Sequence, residues 1–129
     1  MTTDFYEPYR ILVTGSRDWC HLPRLYEALE TAAILASPRR VIFVQGGARG
    51  VDTDTKNWAV ENGYEVITYP AEWRKNGIYN PQAGLLRNRE MVEAGADVAL
   101  AFIRRGSRGA THCADLAEEA GIPTRRILA

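Results

Sequence analysis

The chain has 129 residues, of which 46% are hydrophobic and 25% are charged, a composition typical of a globular domain. A chain of this length buries enough surface for a self-sufficient core, so we treat residues 1–129 as a single domain. The 16 basic and 16 acidic side chains give a formal net charge of zero, which excludes a protein that coats nucleic acid or anionic membranes through bulk charge.

The cysteine content and the N-terminal segment bear on the compartment. Two cysteines cannot form a disulfide framework, and the first eight residues lack the charged-then-apolar pattern of a signal peptide. The longest apolar runs have the length of strands, far short of the ~20 residues of a membrane-spanning helix. We therefore expect a cytoplasmic protein without a membrane partner.

Five apolar segments rich in β-branched residues alternate with segments of helical period, a pattern that indicates a parallel sheet. The strand segments cover residues 10–14, 41–44, 64–68, 97–102 and 126–128. The helical segments cover residues 22–36, 52–62, 83–94 and the region around 113–120, with Asp52 as a candidate N-cap. Right-handed crossovers then predict an α/β fold, a Rossmann-like three-layer α/β/α sandwich with strand order 3-2-1-4-5.

In such a sheet, a ligand crevice lies where the winding reverses, beyond the carboxyl ends of the first and fourth strands. The loops after the first, second and fourth strands meet there, and glycine and arginine concentrate in these loops. Glycine permits close backbone approach, and a following helix N-terminus attracts anions. We therefore predict an anion-binding crevice that includes Gly15, Ser16, Arg17, Gly46, Gly47, Arg49, Gly50, Asp52, Gly106, Ser107, Arg108, Gly109 and Thr111.

Two familiar phosphate-binding motifs are absent. The chain has no Gly-x-x-x-x-Gly-Lys-Ser/Thr loop and no Gly-x-Gly-x-x-Gly after its first strand, which excludes a P-loop ATPase and an ordinary dehydrogenase. The long connection over residues 70–82 is of a length that is usually functional, and we predict that it forms a lid. Trp73 in this connection and Trp19 near the first loop are candidates for stacking on a base, although tryptophans in such positions are more often core or interface residues.

The third helix carries two polar side chains on a mostly apolar surface. Its inward positions are Leu85, Asn88 and Met91, and Arg87 shares a face with Met91. Buried polar groups need hydrogen-bond partners. Two interpretations stay open: Arg87 and Asn88 contact a ligand, or Asn88 caps a loop carbonyl while Arg87 pairs with a carboxylate.

Two Cys-His pairs, Cys20-His21 and His112-Cys113, contain the side chains of a zinc site. Adjacent helical residues diverge by about 100°, and neither pair has the spacing of a chelating motif. We predict no metal site.

Several motifs together resemble those of the YspA-type branch of the SLOG superfamily. In chain order they are Thr14-Gly-Ser-Arg17, Gly46-Gly-Ala-Arg-Gly-x-Asp52, Tyr69-Pro-Ala-Glu-Trp73, Gly84-x-x-Arg-Asn88, Gly106-Ser-Arg-Gly109 and Ala120-Gly-Ile-Pro123. The resemblance extends from about residue 10 to residue 127. It implies a Rossmann-like domain, related to the Lonely Guy phosphoribohydrolases and the DNA-processing protein DprA, that binds a nucleotide or a derivative such as ADP-ribose or NAD.

The chain also departs from these relatives. Lonely Guy enzymes carry glutamates soon after a Gly-Gly-x-Gly-Thr motif, whereas His112, Cys113 and Ala114 follow Thr111 here. Glycosidic hydrolysis needs a carboxylate beside the departing group, and Asp115 stands one position late. Leu85 also replaces a proline that is frequent before the arginine of this motif.

We therefore expect a sensor or sequestering module for a small nucleotide-derived anion, with no assigned cofactor. The alternative is a nucleotide N-glycosidase in which Arg87, Glu90 and Asp115 are catalytic. DprA-like nucleic-acid binding is disfavoured by the neutral charge and by the lack of a long basic stripe. A homodimer is also expected, because closed symmetric dimers are common among soluble proteins.

Overall fold

The structure is a computed structural model that describes residues 7–129. Most of the N-terminal segment in which we find no signal-peptide pattern therefore lies outside the described residues. A parallel five-stranded sheet forms the centre, in the spatial order β3 (Glu65–Thr68), β2 (Val41–Gln45), β1 (Tyr9–Gly15), β6 (Val98–Ile103), β7 (Thr124–Leu128). This is the predicted order 3-2-1-4-5, so the prediction of a Rossmann-like α/β fold is confirmed.

Four helices cover the two faces of the sheet: α1 (Leu22–Ala36), α2 (Val51–Glu61), α3 (Ala83–Glu93) and α4 (Arg108–Glu119). Alternate residues of β1 face opposite layers, as the pleat requires. Ile11 and Val13 pack with α1 and α2, whereas Leu12 packs with Met91 of α3 and Cys113 of α4. The sheet is therefore buried on both faces, which explains why its strands read as continuous apolar runs.

The long connection after β3 contains a small antiparallel hairpin that the sequence did not predict. Its strands are β4 (Arg74–Lys75) and β5 (Ile78–Tyr79). Two-residue strands are too short to show a period of two, so the pattern of the sequence carries no signal for them.

Two expectations about single side chains are corrected, and one open alternative is decided. Asp52 is not the N-cap of α2, because Gly50 holds that position. Leu85 is 39% exposed and does not belong to the inward stripe of α3, whereas Asn88 and Met91 are buried as predicted. Trp19 is a core residue, 5% exposed, with its ring against Phe102 at a centroid distance of 5.5 Å.

Among residues 7–129, no helix has both the length and the apolar character needed to cross a membrane.

Candidate functional site

A cavity of about 360 Å³, here called the crevice, opens beyond the carboxyl ends of β1, β2 and β6. The loops after these three strands converge on it, together with the first turns of α3 and α4. Eight of the residues predicted to bind a ligand line it: Gly15, Arg17, Asp52, Trp73, Arg87, Asn88, Ser107 and Gly109.

A second cavity of about 300 Å³ adjoins the crevice on the side of the β2 loop. We call it the arginine chamber, because Arg17, Arg49 and Arg87 line it. The predicted residues Gly46 and Gly47 also lie in its wall. Arg17, Arg87, Trp73 and Ala48 line both cavities and so form the boundary between them.

Other predicted residues do not line the crevice or the chamber. They are Ser16, Gly50, Gly106, Arg108 and Thr111. Ser16 is buried, and its hydroxyl accepts a hydrogen bond from the backbone N–H of Arg104 at 2.8 Å. Ser16 therefore joins the loops after β1 and β6 beneath the crevice.

The glycine-rich loop after β2 directs three consecutive backbone N–H groups inward. Gly46 and Ala48 donate to Oδ2 of Asp52 at 3.2 and 3.1 Å, and Gly47 donates to Oε1 of Gln45. Gln45 and Asp52 are both buried, and the bond from Gly46 to Asp52 lies in the interior. Because these amides already have partners, this loop offers the cavities its side chains rather than a cradle of backbone donors.

Arg87 reaches from α3 across the floor of both cavities. Its guanidinium donates to the carbonyl oxygen of Gly46, to that of Tyr69 at 3.4 Å and to Oδ1 of Asn88 at 3.0 Å. A side chain at position 46 would collide with this guanidinium and displace it from its present position. Within the described residues Arg87 forms no salt bridge, so the expected carboxylate partner is replaced by backbone carbonyls.

Asn88 continues this hydrogen-bond network to α4. Its Nδ2 donates to the carbonyl oxygen of Gly109 at 3.3 Å and lies 3.3 Å from Nδ1 of His112. An amide nitrogen can only donate, so this contact is a hydrogen bond when Nδ1 of His112 is unprotonated. Asn88 thus has features of both interpretations: it bonds a backbone carbonyl, that of Gly109 in the first turn of α4, and it also lines the crevice.

Asp52 is the buried acid of the crevice. Burial raises the pKa of its carboxyl from 3.8 to about 6, against the opposing effects of the Ala48 N–H and the Arg87 guanidinium. Its Oδ1 is buried and has no hydrogen-bond partner among residues 7–129. A carboxyl with such a pKa is near half-ionised around pH 6 and can either accept or donate a proton.

Trp73 forms one wall of both cavities and is 37% exposed. Its indole packs over Gly84 in the first turn of α3, where a Cβ would lie 3.1 Å from Cη2. The opposite strand of the hairpin supplies Tyr79, which stacks on Trp73 at a centroid distance of 6.3 Å. The hairpin therefore holds an aromatic wall at the mouth of the crevice.

The other acids considered for catalysis lie elsewhere. Asp115 forms an ion pair with Arg126 at 2.6 Å on the outer surface of α4. Glu90 lines a different cavity, next to the connection after β3, to which Arg87 also contributes. Cys113 is buried, and burial raises the pKa of its thiol to about 11, so it is not an activated nucleophile.

Sequence reasoning missed several residues that line the crevice, including Thr14, Asp18, Pro81 and Leu85. Asp18 is the most informative, because it also receives a hydrogen bond at its carbonyl oxygen from Arg104 at 2.8 Å. The signal for Asp18 was present in the sequence, since it directly follows Arg17 in a loop already assigned to the crevice. Pro81 and Leu85 reach the crevice because the hairpin is followed directly by α3, and the sequence did not predict this hairpin.

The fold and this site define a class: a Rossmann-like α/β domain with an arginine-lined crevice at its topological switch point. A family model described as the YspA, cpYpsA-related SLOG family matches residues 9–76. The Gene 61 protein of Mycobacterium phage D29 is 42% identical over 119 residues, which cover 88% of this chain and 92% of that protein. The chain therefore belongs to the YspA, cpYpsA-related SLOG family, as its motifs indicated.

Solved structures share the fold at lower identity. The structural-genomics target TM1055 matches 90% of this chain and 72% of its own, with a TM-score of 0.63 and 19% identity. DNA processing protein A from Helicobacter pylori matches 92% of this chain and 65% of its own, with a TM-score of 0.62 and 20% identity. The Helicobacter pylori protein binds single-stranded DNA.

Proposed function

We propose that this protein binds a small nucleotide-derived anion in the crevice, as a sensor or sequestering module. The observation that carries the proposal is the convergence of the α4 N-terminus with Arg17 and Arg87 at the switch point of the sheet. Ligands of open α/β sheets bind at this location. A cavity of about 360 Å³ falls in the size range of small-molecule sites.

The first turn of α4 supplies part of the anion site. Ser107, at its N-cap, makes no side-chain hydrogen bond to the helix, while Ser107, Gly109 and Ala110 all line the crevice. Backbone N–H groups at the start of a helix have no intrahelical partners and attract negative charge. The guanidiniums of Arg17 and Arg87 add charge-assisted donors from the opposite walls.

The ribose and base would then lie toward Asp52 and Trp73. The ionised carboxyl of Asp52 suits a hydroxyl donor and repels a phosphate, so the phosphate belongs at the α4 end. Trp73 lines the mouth of the crevice and is 37% exposed, so its remaining aromatic surface would contact the base.

A thermal-shift screen over AMP, NAD and ADP-ribose tests this proposal. A ligand at about 100 times its Kd adds roughly 2.7 kcal/mol of stability, which raises Tm by several degrees in a domain of this size. Arg17→Ala should abolish the shift, and Arg125→Ala, which removes an exposed arginine away from the crevice, should preserve it. The absence of a shift with all three compounds would argue against a nucleotide site.

Hydrolysis of a nucleotide N-glycosidic bond is the second candidate function, and Asp52 is the observation that favours it. Its pKa of about 6 suits a general acid or base at neutral pH, and it lies in the same cavity as Arg87. Incubation with AMP should then release adenine, and Asp52→Asn should stop the release. Binding without product would leave the protein as a binding module.

DNA binding is also tested, because the fold is similar to that of DNA processing protein A. A single-stranded oligonucleotide is titrated at low and at physiological salt, because phosphate contacts weaken steeply as salt rises. We expect weak binding that salt removes. Salt-resistant binding that displaces AMP would favour DNA as the ligand.

A further inference from the structure

The arginine chamber differs from the crevice in its charge. Asp18 and Asp52 line the crevice together with its arginines, whereas the chamber is lined by Arg17, Arg49 and Arg87 without any carboxylate. Three guanidiniums that share one cavity repel each other in a protein whose net charge is zero. The carboxyl of Asp52, which interacts with Arg87 and Arg17 from the crevice side, offsets part of this repulsion, and an anion in the chamber would reduce it further.

Arg17 and Arg49 are also free to bind a ligand. Neither forms a side-chain hydrogen bond or a salt bridge with any residue of the described range 7–129, and both side chains are exposed at the cavity. By contrast, Arg104 on the opposite loop pairs with Asp18. The chamber thus keeps unpaired guanidiniums in a concave site.

The backbone of the β2 loop explains why arginines are needed there. The N–H groups of Gly46, Gly47 and Ala48 are bound to Asp52 and Gln45, so an anion beside this loop receives no donor from these three amides. Recognition has to come from side chains, and a guanidinium offers planar, paired donors that match phosphate oxygens.

We propose that the arginine chamber is a second anion subsite and that the ligand is a small nucleotide with two phosphate groups. This inference rests on the proposed function. One phosphate lies at the start of α4, and the other lies in the chamber on Arg49, with Arg17 and Arg87 between them. Cavities of about 360 and 300 Å³ that share a wall suit a small molecule of this kind rather than a single phosphate.

Calorimetric titration tests the proposal with AMP, adenosine 3′,5′-bisphosphate and ADP-ribose, all at about 150 mM salt so that distant charges are screened. AMP has one phosphate. Adenosine 3′,5′-bisphosphate has two separate phosphates, and ADP-ribose has two phosphates joined in a pyrophosphate. At least one of these two compounds should bind about tenfold more tightly than AMP. Arg49→Ala should weaken binding of this two-phosphate compound. The fold-loss in its affinity should be about ten times the fold-loss in affinity for AMP.

Two further variants make the result specific. Arg49→Lys keeps the charge and should restore only part of the loss, because an ammonium group lacks the paired donors. Arg125→Ala removes an equal charge from β7 and should leave all affinities unchanged. Folding of each variant is checked by its thermal unfolding without ligand.

The remaining outcomes separate the second subsite from the proposed function. Equal affinity for AMP and for both two-phosphate compounds, with AMP still bound, would refute the second subsite and leave the proposed function intact. Failure of all three compounds to bind would refute both. A single-stranded oligonucleotide that binds more tightly than either two-phosphate compound would replace the small ligand with a polynucleotide.

Discussion

Arg87 and Asn88 connect α3 with the loops after β2 and β3 and with the start of α4. Their polar character on an apolar stripe was visible in the sequence, and the need for hydrogen-bond partners followed from it. Which partners they take was not predictable, because the carbonyls of Gly46, Tyr69 and Gly109 lie far away along the chain, in two loops and in the first turn of α4.

Asn88→Ala is expected to lower the free energy of unfolding by about 1–3 kcal/mol, because it leaves the Gly109 carbonyl and Nε of Arg87 short of partners. Urea denaturation measures the change. Asn57→Ala is the matched control, since Asn57 is exposed on α2, and it should change stability by no more than about 0.5 kcal/mol. A loss equal to that of the control would mean that the network does not stabilise the fold.

Asp52 should make stability depend on pH. Burial raises the pKa of its carboxyl from 3.8 to about 6, so between these values the folded state binds more protons than the unfolded state. Stability contributed by this group is therefore present below about pH 4 and is lost as pH rises through 6. The shift of about two units corresponds to roughly 3 kcal/mol.

Asp52→Asn isolates this effect from the other carboxyls. We subtract the free energy of unfolding of the unmodified protein from that of Asp52→Asn. This difference should increase between pH 4 and pH 8, by at most about 3 kcal/mol, because only the unmodified protein loses stability as its carboxyl ionises. Denaturation curves at both pH values measure it. A pH-independent difference between the two proteins would show that the carboxyl has the same pKa in the folded and unfolded states.

At the scale of secondary-structure elements, periodicity predicted the four helices and five sheet strands to within a few residues. The β2 loop shows where this reasoning stops. Its glycines and arginine suggested a backbone cradle for phosphate, but Gln45 reads only as the first residue of the loop and Asp52 as a helix cap. Only their three-dimensional positions reveal that both side chains occupy the backbone donors of the loop.

The first turn of α4 can be tested by filling the space beside Gly109. A Cβ at this position meets no atom within 4 Å, so Gly109→Ala and Gly109→Val are compatible with the folded backbone. Both should weaken AMP binding, and valine should weaken it more, because the added atoms occupy the anion position. Calorimetry gives the affinities, and unchanged affinity in a folded Gly109→Val protein would remove this turn from the site.

The lid prediction concerns the segment over residues 70–82. If this segment closes on a ligand through Trp73, its amides should exchange hydrogen more slowly when saturating ADP-ribose is present. Hydrogen exchange followed by mass spectrometry measures this, with the exposed end of α1 at Ile34 and Leu35 as an internal control. Equal exchange of the segment with and without ligand would show that the hairpin is a fixed wall.

At the scale of the whole molecule, a neutral net charge conceals an uneven distribution of arginine. Composition alone excluded bulk electrostatic binding, and only the topology of the sheet shows that three arginine-bearing loops meet at one edge. Sheet topology was predictable because right-handed crossovers leave few arrangements of five alternating strands. The expected homodimer stays a prediction, which sedimentation velocity can check.

The role of the switch-point crevice as the ligand site is tested most directly by an NMR titration with ADP-ribose. The titration follows backbone amide shifts along the chain. We predict saturable shifts concentrated in the loops after β1 and β2, at Trp73 and in the first turn of α4. Shifts confined to other surfaces, or no saturable shift at millimolar ligand, would contradict this role.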